Sequence, residues 1–215
     1  MAFPLIALTL PARDHPGVAA TDTASTGPAA AAQPLDHAAL ERIFEGLDAP
    51  FALVDLDAMW LNAAEMTGRA AGKPIRVASK SVRSRPILER ILAADEGFRG
   101  LMTFTLDETL WLHGHGFRDL LLAYPTADRA ALAGLARLEG HGRPIVMVDS
   151  TDHLELIAAA GARAAEPVRV CIELDVGFHL ARGRVKIGPK RSSIRTPEQA
   201  VALSLIHISE PTRPY

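Results

Sequence analysis

The residue with the clearest chemical potential is Lys80, in the segment KPIRVASKSVR. It follows an apolar run that predicts a strand, and Arg76, Ala78 and Lys80 alternate onto one side of that strand. In parallel α/β folds the carboxyl ends of the strands form the functional face. A lysine held there beside cations such as Arg76 and Arg83 can attack a carbonyl carbon. This position meets the requirement for a Schiff-base lysine, although spacing alone favours a surface lysine in a loop.

Tyr124 is the second candidate, because it ends another apolar run, DLLLAYPT. It shares its alternate face with Leu120 and Leu122, so its hydroxyl could reach the same mouth as Lys80. The alternative is a buried structural tyrosine. His113 and His115 in WLHGHG diverge on a predicted helix and have no evident third ligand, so no metal site is predicted there.

The segment CIELDVG carries an acidic face formed by Cys171, Glu173 and Asp175. Carboxylates inside a barrel must be paired or hydrogen-bonded to stay charged. The expected partners are Arg76 or Lys80 across the barrel. Cys171 is the only cysteine, which excludes an internal disulfide and fits a reducing compartment.

The elements that must position these residues are five strands alternating with amphipathic helical patterns. Such a chain folds as a parallel sheet with right-handed crossovers. It can close as a (β/α)8 barrel or as a doubly wound sheet. No GxGxxG follows the first strand, which weakens the dinucleotide-binding version of the doubly wound sheet. A sixth strand is expected near Gly183 to Ile187. The five predicted strands are Ile75 to Ser79, Gly100 to Phe104, Asp119 to Tyr124, Pro144 to Asp149 and Val168 to Asp175.

Composition limits the partners. The 215 residues are 48% hydrophobic and 22% charged, which is typical of one globular domain. The formal charge of -2 comes from scattered residues, so neither a nucleic acid nor a membrane partner is predicted. The opening MAFPLIALTL lacks a cationic flank and is too short to span a bilayer, which favours a cytoplasmic protein.

The chain divides into three segments by pattern. Residues 1–33 are rich in Ala, Pro, Thr and Gly and are expected to be a disordered tail. Residues 34–202 form the predicted barrel domain, in which Asp57 is expected to cap the helix AMWLNAAEMTGRAAG. Residues 203–215 differ in composition, and LSLIHISEPTR resembles the translation of an adapter used in DNA library preparation. Such an appended segment is expected to find no specific core site.

A family resemblance extends this interpretation over roughly Pro50 to Ala202. It is carried by IRVASKSVR, the preceding PFALVDLDAMWLNAAEMT, and then GLMTFTLDETLWL, DLLLAYPTADR, IVMVDSTDHLELI and VRVCIELDVG. These blocks resemble the alanine-racemase-like barrel family of enzymes that use pyridoxal 5'-phosphate (PLP). The likeness is greatest to its D-threonine aldolase, D-serine dehydratase and amino acid deaminase/aldolase branch. The resemblance implies an α/β fold, an incomplete (β/α)8 TIM barrel like the alanine racemase N-terminal domain, truncated at its C-terminus.

The same resemblance implies roles for residues. Lys80 is the PLP-bearing lysine and a proton-transfer base, with Arg76 and Tyr124 as further cofactor-binding residues. A basic side chain after the DVG motif faces the cofactor's phenolate oxygen in this family. The candidates for it are His179, Arg182 and Arg184.

The implied activity is a PLP-dependent lyase on a small-molecule substrate, a β-hydroxy amino acid, by aldol cleavage or by dehydration and deamination. The full-length protein is expected to be a homodimer, and a divalent metal is expected only there, because the family's metal ligands lie in a C-terminal domain. An eight-stranded barrel needs about 250 residues, so the fragment is expected to be inactive alone. The alternatives are an alanine-type racemase and a non-catalytic PLP homeostasis protein.

Overall fold

A computed structural model describes residues 5–8, 36–48, 50–162, 166–180, 185–188 and 191–209. The chain forms two compact units, residues 1–73 and residues 74–215, which are described separately. In the described residues, no helix combines the length and the apolar character that crossing a membrane requires.

The first unit pairs two short parallel strands, β1 (Leu5–Leu8) and β2 (Ala52–Asp55). The unit also holds the helices α1 (His37–Ile43) and α2 (Leu56–Ala70). Strand β1 lies inside the segment expected to be a tail, and its apolar run LIAL explains why it can pair as a strand. The rest of the expected tail, residues 1–4 and 9–33, lies outside the described residues.

The cap of α2 differs from the prediction. Asp55, not Asp57, accepts a hydrogen bond from the backbone N–H of Ala58 at 3.0 Å. Asp57 lies in the first turn instead. An acidic residue there still interacts favourably with the helix dipole, so both positions suit a helix start.

The second unit is built on a five-stranded parallel sheet, so the five predicted strands are confirmed. Their spatial order follows their sequence order, with no point at which the direction of winding reverses. A doubly wound sheet needs such a reversal, whereas a barrel does not. The order therefore favours the barrel architecture. The strands are β3 (Ile75–Ala78), β4 (Phe98–Thr103), β5 (Leu120–Leu122), β6 (Ile145–Val148) and β7 (Arg169–Ile172).

Helices follow each of the first four strands, and three of them begin with a side-chain cap. The side chains of Thr105, Asp128 and Ser150 accept backbone hydrogen bonds at the starts of α5 (Leu106–Gly114), α6 (Arg129–Ala136) and α7 (Thr151–Gly161). The apolar faces of these helices cover the sheet, as in the buried cluster of Leu88, Leu101, Leu112, Phe117 and Leu120. The helices are α3 (Ser79–Val82), α4 (Arg85–Ala94), α5 (Leu106–Gly114), α6 (Arg129–Ala136) and α7 (Thr151–Gly161).

The prediction of a sixth barrel strand near Gly183 to Ile187 is wrong. Residues Val185–Ile187 form β9, which pairs antiparallel with β8 (Phe178–Leu180) in a hairpin. The four residues between these strands cannot make the crossover that a parallel strand needs, which takes a dozen or more residues.

The helix α8 (Pro197–Ser209) runs through the boundary expected at residue 203. Leu203 is buried, with 6% of its surface exposed, and clusters with Val148 and Ile194. The expectation that the segment finds no core site is therefore wrong for Leu203. Ala200 also packs against this cluster, three residues earlier, so Leu203 continues a helical face that already points to the core. Residues 210–215 lie outside the described part.

Candidate functional site

Lys80 lies at the carboxyl edge of the sheet, two residues after the end of β3. The strand ends at Ala78, and the chain turns directly into the short helix α3. The sequence suggested that Lys80 continues the alternation of Arg76 and Ala78 along the strand. The structure differs, because Lys80 lies in α3. Its amine Nζ donates to the hydroxyl of Tyr124 at 3.0 Å. Because Tyr124 follows β5, the Lys80 side chain reaches across the end of the intervening strand β4.

Two aromatic rings flank this lysine. Nζ of Lys80 lies 5.8 Å from the centre of the Phe104 ring and 5.4 Å from the centre of the Tyr124 ring. The two rings meet edge to face, with centres 5.6 Å apart. This arrangement holds the amine between apolar faces, where a cation is attracted to the ring electrons.

Arg191 completes the surroundings of Tyr124. Its guanidinium carbon lies 4.6 Å from the centre of the Tyr124 ring. The same group donates to the backbone carbonyl of Ala123 at 2.8 Å and pairs with Glu173 at 2.7 Å. Arg191 thus touches the ends of β5 and β7 at once.

The carboxylates of the CIELDVG segment are buried, as expected, but their partners differ from the prediction. Glu173 pairs with Arg191, and Asp175 lies 3.7 Å from the guanidinium of Arg195. Neither pairs with Arg76 or Lys80. The second oxygen of Glu173, Oε2, is buried without a hydrogen-bond partner in the described part of the chain. A donor from a bound molecule can satisfy such an acceptor.

Arg76 lies elsewhere. Its guanidinium donates to the backbone carbonyl of Asp119 at 2.6 Å and to the Asp119 carboxylate at 2.7 Å. Asp119 precedes β5, at the amino-terminal edge of the sheet. Arg83, the other expected neighbour, donates through Nε to the backbone carbonyl of Lys80 at 3.1 Å and not to its amine. Among the expected cations, neither therefore contacts the Lys80 amine.

The charges around Tyr124 favour its ionised form. The hydrogen bond from Lys80 lowers the pKa of the Tyr124 phenol, and the positive charges of Lys80 and then of Arg191 lower it further. Desolvation and the negative charge of Glu173 oppose them. The surroundings of Tyr124 therefore stabilise a negative charge on its oxygen.

A cavity of about 440 Å³ lies on the α4–α5 side of Phe104. Neither Lys80 nor Tyr124 lines it, so we do not assign the chemistry of Lys80 to this cavity. Its lining residues are Ser79, Arg83, Ser84, Arg85, Leu88, Phe104, Thr105, Glu108, Trp111 and Leu112.

Comparison with protein families gives the affiliation. The family described as alanine racemase, N-terminal domain, matches residues 54–203, which is more than half of the chain. The chain belongs to the alanine racemase N-terminal domain family. The resemblance inferred from the sequence motifs is therefore confirmed, and the parallel α/β fold agrees with it.

Individual relatives of this family member are enzymes. D-threo-3-hydroxyaspartate dehydratase from Delftia sp. (strain HT23) is 34% identical over 136 residues. Its solved structure is similar with a TM-score of 0.55, at 32% identity, over 68% of this chain. D-threonine aldolase from Filomicrobium marinum is similar with a TM-score of 0.64 over 78% of this chain. At 22% identity, the similarity to the aldolase structure shows that the two chains share a fold and nothing further.

The alignment covers only part of each relative. This family member spans 35% of the length of the dehydratase and 42% of the aldolase chain. The truncation relative to these relatives agrees with a sheet of five strands rather than eight.

Several predicted residues of this family member cannot be placed. The backbone of His179 lies in β8, opposite Lys186, but its side chain is outside what the structure describes. Arg182 and Arg184 lie outside the described residues.

Among the described residues, the histidines of the WLHGHG segment form no metal site. Nδ1 of His115 is hydrogen-bonded to the backbone carbonyl of Trp111. In the ranges that the structure describes, no three His, Cys, Asp or Glu side chains gather as metal ligands.

The sequence analysis missed Phe104 and Arg191. Phe104 follows β4 directly, so its position at the carboxyl edge could have indicated a site residue. Arg191 lies in an irregular segment 67 residues from Tyr124, where no periodicity predicts a contact. The available signal was the pair of buried carboxylates, Glu173 and Asp175, which needed two cations that the RSSIR segment supplies.

Proposed function

We propose that the chain is the PLP-binding part of a lyase that acts on β-hydroxy amino acids, with Lys80 as the lysine that forms the Schiff base. The observation that carries the proposal is the hydrogen bond between Lys80 and Tyr124, at the carboxyl edge of a sheet of this family. In barrels of this kind the active site occupies that edge.

The residues present fit the aldehyde and ring portions of PLP. Lys80 is exposed, so its amine is accessible to a carbonyl carbon, and Phe104 and Tyr124 provide apolar faces beside it. The unpaired Oε2 of Glu173 is an acceptor for a donor on a bound molecule. Phosphate sites in such barrels follow strands 7 and 8, so we assign no phosphate ligand to the five strands of this chain.

The division of labour follows from the contacts. When bound, PLP withdraws electrons from the α-carbon of the amino acid. Lys80 exchanges a proton at that carbon, and Tyr124, whose oxygen accepts from Nζ, holds the free amine in place while the substrate reacts. The same donation from Nζ is the main cause of the lowered pKa of Tyr124, because it stabilises the phenolate form. We also propose His179 and Arg184 as cofactor-facing cations. The position of Arg76 at the other edge argues against that role for it.

The names of the relatives support the substrate class. D-threo-3-hydroxyaspartate and D-threonine are both β-hydroxy amino acids, which the two relatives dehydrate and cleave, respectively. We therefore propose a β-hydroxy amino acid as the substrate of the whole protein, which we expect to be a cytoplasmic homodimer with a divalent metal. The chain alone should release neither ammonia nor aldehyde from such a substrate, because it supplies five of eight barrel strands.

The test is covalent trapping on the 215-residue chain. The chain contains four lysines, Lys73, Lys80, Lys186 and Lys190. Incubation with PLP, reduction with borohydride and peptide mass mapping should place the reduced adduct on Lys80. Lys80→Ala should abolish this adduct, whereas the control Lys73→Ala should retain it. An adduct spread evenly over the other three lysines, with Lys80 unlabelled, would contradict the proposal.

A further inference from the structure

The segment 191–195, RSSIR, crosses the carboxyl ends of three strands of the sheet. We call it the strap. It contacts the backbone after β5 at Ala123, after β6 at Asp149 and after β7 at Glu173. The segment has no regular secondary structure, so these contacts, and not a helix or strand, fix its path.

Two serines attach the strap to β6 and β7. Ser193 donates through Oγ to the carbonyl of Asp149 at 2.8 Å, and Ser192 donates to the carbonyl of Glu173 at 2.7 Å. The oxygen of Ser192 also accepts from the N–H of Ile194 at 3.1 Å, which fixes the turn of the strap. Ser192 is buried, so its hydrogen bonds face little competition from water.

Further contacts hold the far end of the strap. The N–H of Asp175 donates to the carbonyl of Ile194 at 2.7 Å, and the Ile194 side chain is buried against Val148 and Leu203. Arg195 lies beside the buried carboxylate of Asp175. The strap is thus anchored by hydrogen bonds, an ion pair and apolar burial on one side of Arg191.

Arg191 is the end of the strap that faces Tyr124. One guanidinium group lies against the ring, binds the carbonyl of the preceding Ala123 and pairs with the buried Glu173. A planar guanidinium can make all three contacts in one orientation, whereas an ammonium cannot. The Tyr124 ring also meets Phe104, and its hydroxyl accepts from Lys80.

We propose that the strap is a positioning device, in which Ser192 and Ser193 hold Arg191 on Tyr124 and so keep the Tyr124 hydroxyl against Lys80. Arg191 is a positioning residue, because it acts through Tyr124. This inference rests on the proposed role of Lys80 and Tyr124 for its functional meaning. The contact between Arg191 and Tyr124 can be tested without cofactor.

The experiment measures the ionisation of Tyr124 by phenolate absorbance in the full chain. Tyr124 and Tyr215 are the two tyrosines, so the variant Tyr215→Phe leaves Tyr124 as the single reporter. The charged groups that act on it are Lys80 after β3, Glu173 after β7 and Arg191 in the strap. Because Arg191 lowers the pKa of Tyr124, its displacement raises the titration midpoint.

Three variants in that background test the strap. Ser192→Ala and Ser193→Ala keep every charge, yet each should shift the Tyr124 midpoint upward, toward the value of Arg191→Met. Ser204→Ala, an exposed serine on α8, is the matched control and should leave the midpoint unchanged. Circular dichroism verifies that each variant is folded.

The outcomes separate the alternatives. If both serine variants keep the parent midpoint while Arg191→Met raises it, the contacts of the Arg191 side chain hold it without the two serines, and the strap is refuted. If a serine variant does not fold, Arg191→Lys replaces it, since it keeps the charge but loses the planar contacts. A parent midpoint in Arg191→Lys would then overturn the proposal, and a raised one would support it. Borohydride labelling of Lys80 is a separate readout, so failure of the proposed function remains distinguishable.

Discussion

The two edges of the sheet each hold a cation from the same short segment, Arg76 and Lys80, and treat it differently. At the amino-terminal edge Arg76 is bound twice by Asp119, through its carbonyl and its carboxylate. At the carboxyl edge Lys80 is exposed, and its amine makes a hydrogen bond to Tyr124. Asp119 therefore fixes the Arg76 guanidinium, whereas the Lys80 amine stays accessible.

The difference arises from how closely the backbone packs. Near Arg76, Gly100 adopts a φ of +68° and faces Asp119, which itself adopts a φ of +54°. Glycine tolerates this region, and aspartate is among the residues enriched there. Near Lys80 the strand turns directly into the short helix α3, and the contact of the amine is made by a side chain, that of Tyr124. A stable barrel edge and a reactive one can therefore be built from the same sheet.

The largest expected effect comes from filling the amino-terminal edge. A Cβ at position 100 would overlap the carbonyl oxygen of Asp119 and lie 2.8 Å from Arg76. Gly100→Ala should therefore lower the free energy of unfolding by about 3 kcal/mol or more, combining overpacking with left-handed strain. Urea titration measures this loss.

Gly116→Ala is the matched control for backbone strain. Gly116 also has a positive φ, +92°, but nothing lies within 4 Å of the position of its Cβ. It should cost about 1 kcal/mol, the strain alone. Equal losses at the two positions would show that the close approach at Gly100 does not matter.

The next largest loss of stability is expected from Leu203, which supports the carboxyl edge of the sheet. Leu203 is buried against Ile194 of the strap and Val148 of β6, so Leu203→Ala should cost about 2–4 kcal/mol. The neighbouring exposed Ser204→Ala should change stability by less than about 0.5 kcal/mol. Guanidinium denaturation compares the two. If Leu203→Ala is as neutral as Ser204→Ala, the segment from residue 203 onward is an inert appendage after all.

A smaller change in stability is expected when each of the two cations is replaced by the same neutral residue, methionine. Arg76→Met should lower stability by about 1 kcal/mol, because it removes a partly exposed ion pair and a hydrogen bond, and should leave PLP labelling of Lys80 intact. Lys80→Met should abolish labelling and change stability by less than about 0.5 kcal/mol. Loss of labelling in Arg76→Met would mean that the two edges are not independent.

The sequence predicted the scaffold better than the site because the two depend on different interactions. The strands and α4 to α7 follow from local apolar periodicity and capping residues, such as Thr105 before α5, which the chain shows directly. The Lys80–Tyr124 proximity follows from both residues ending parallel strands. The path of the strap depends on hydrogen bonds between residues far apart in sequence, as between Ser193 and Asp149, which no local pattern encodes.

The smallest effect is on the titration of Tyr124, and it sharpens the contrast at the carboxyl edge. The hydrogen bond from Lys80 is the largest influence that lowers the pKa of Tyr124, ahead of the charge of Arg191. In the Tyr215→Phe background, Lys80→Met should therefore raise the Tyr124 midpoint more than Arg191→Met does. The sign of the linkage follows: a phenol with a lowered pKa in the folded state adds stability as pH rises through that pKa toward the ordinary value of about 10. The parent chain should gain this stability on alkaline titration, and Lys80→Met should gain less. If Lys80→Met leaves the midpoint at the parent value, the amine does not bind the phenol in solution, and the accessible cation at this edge is held by the aromatic faces alone.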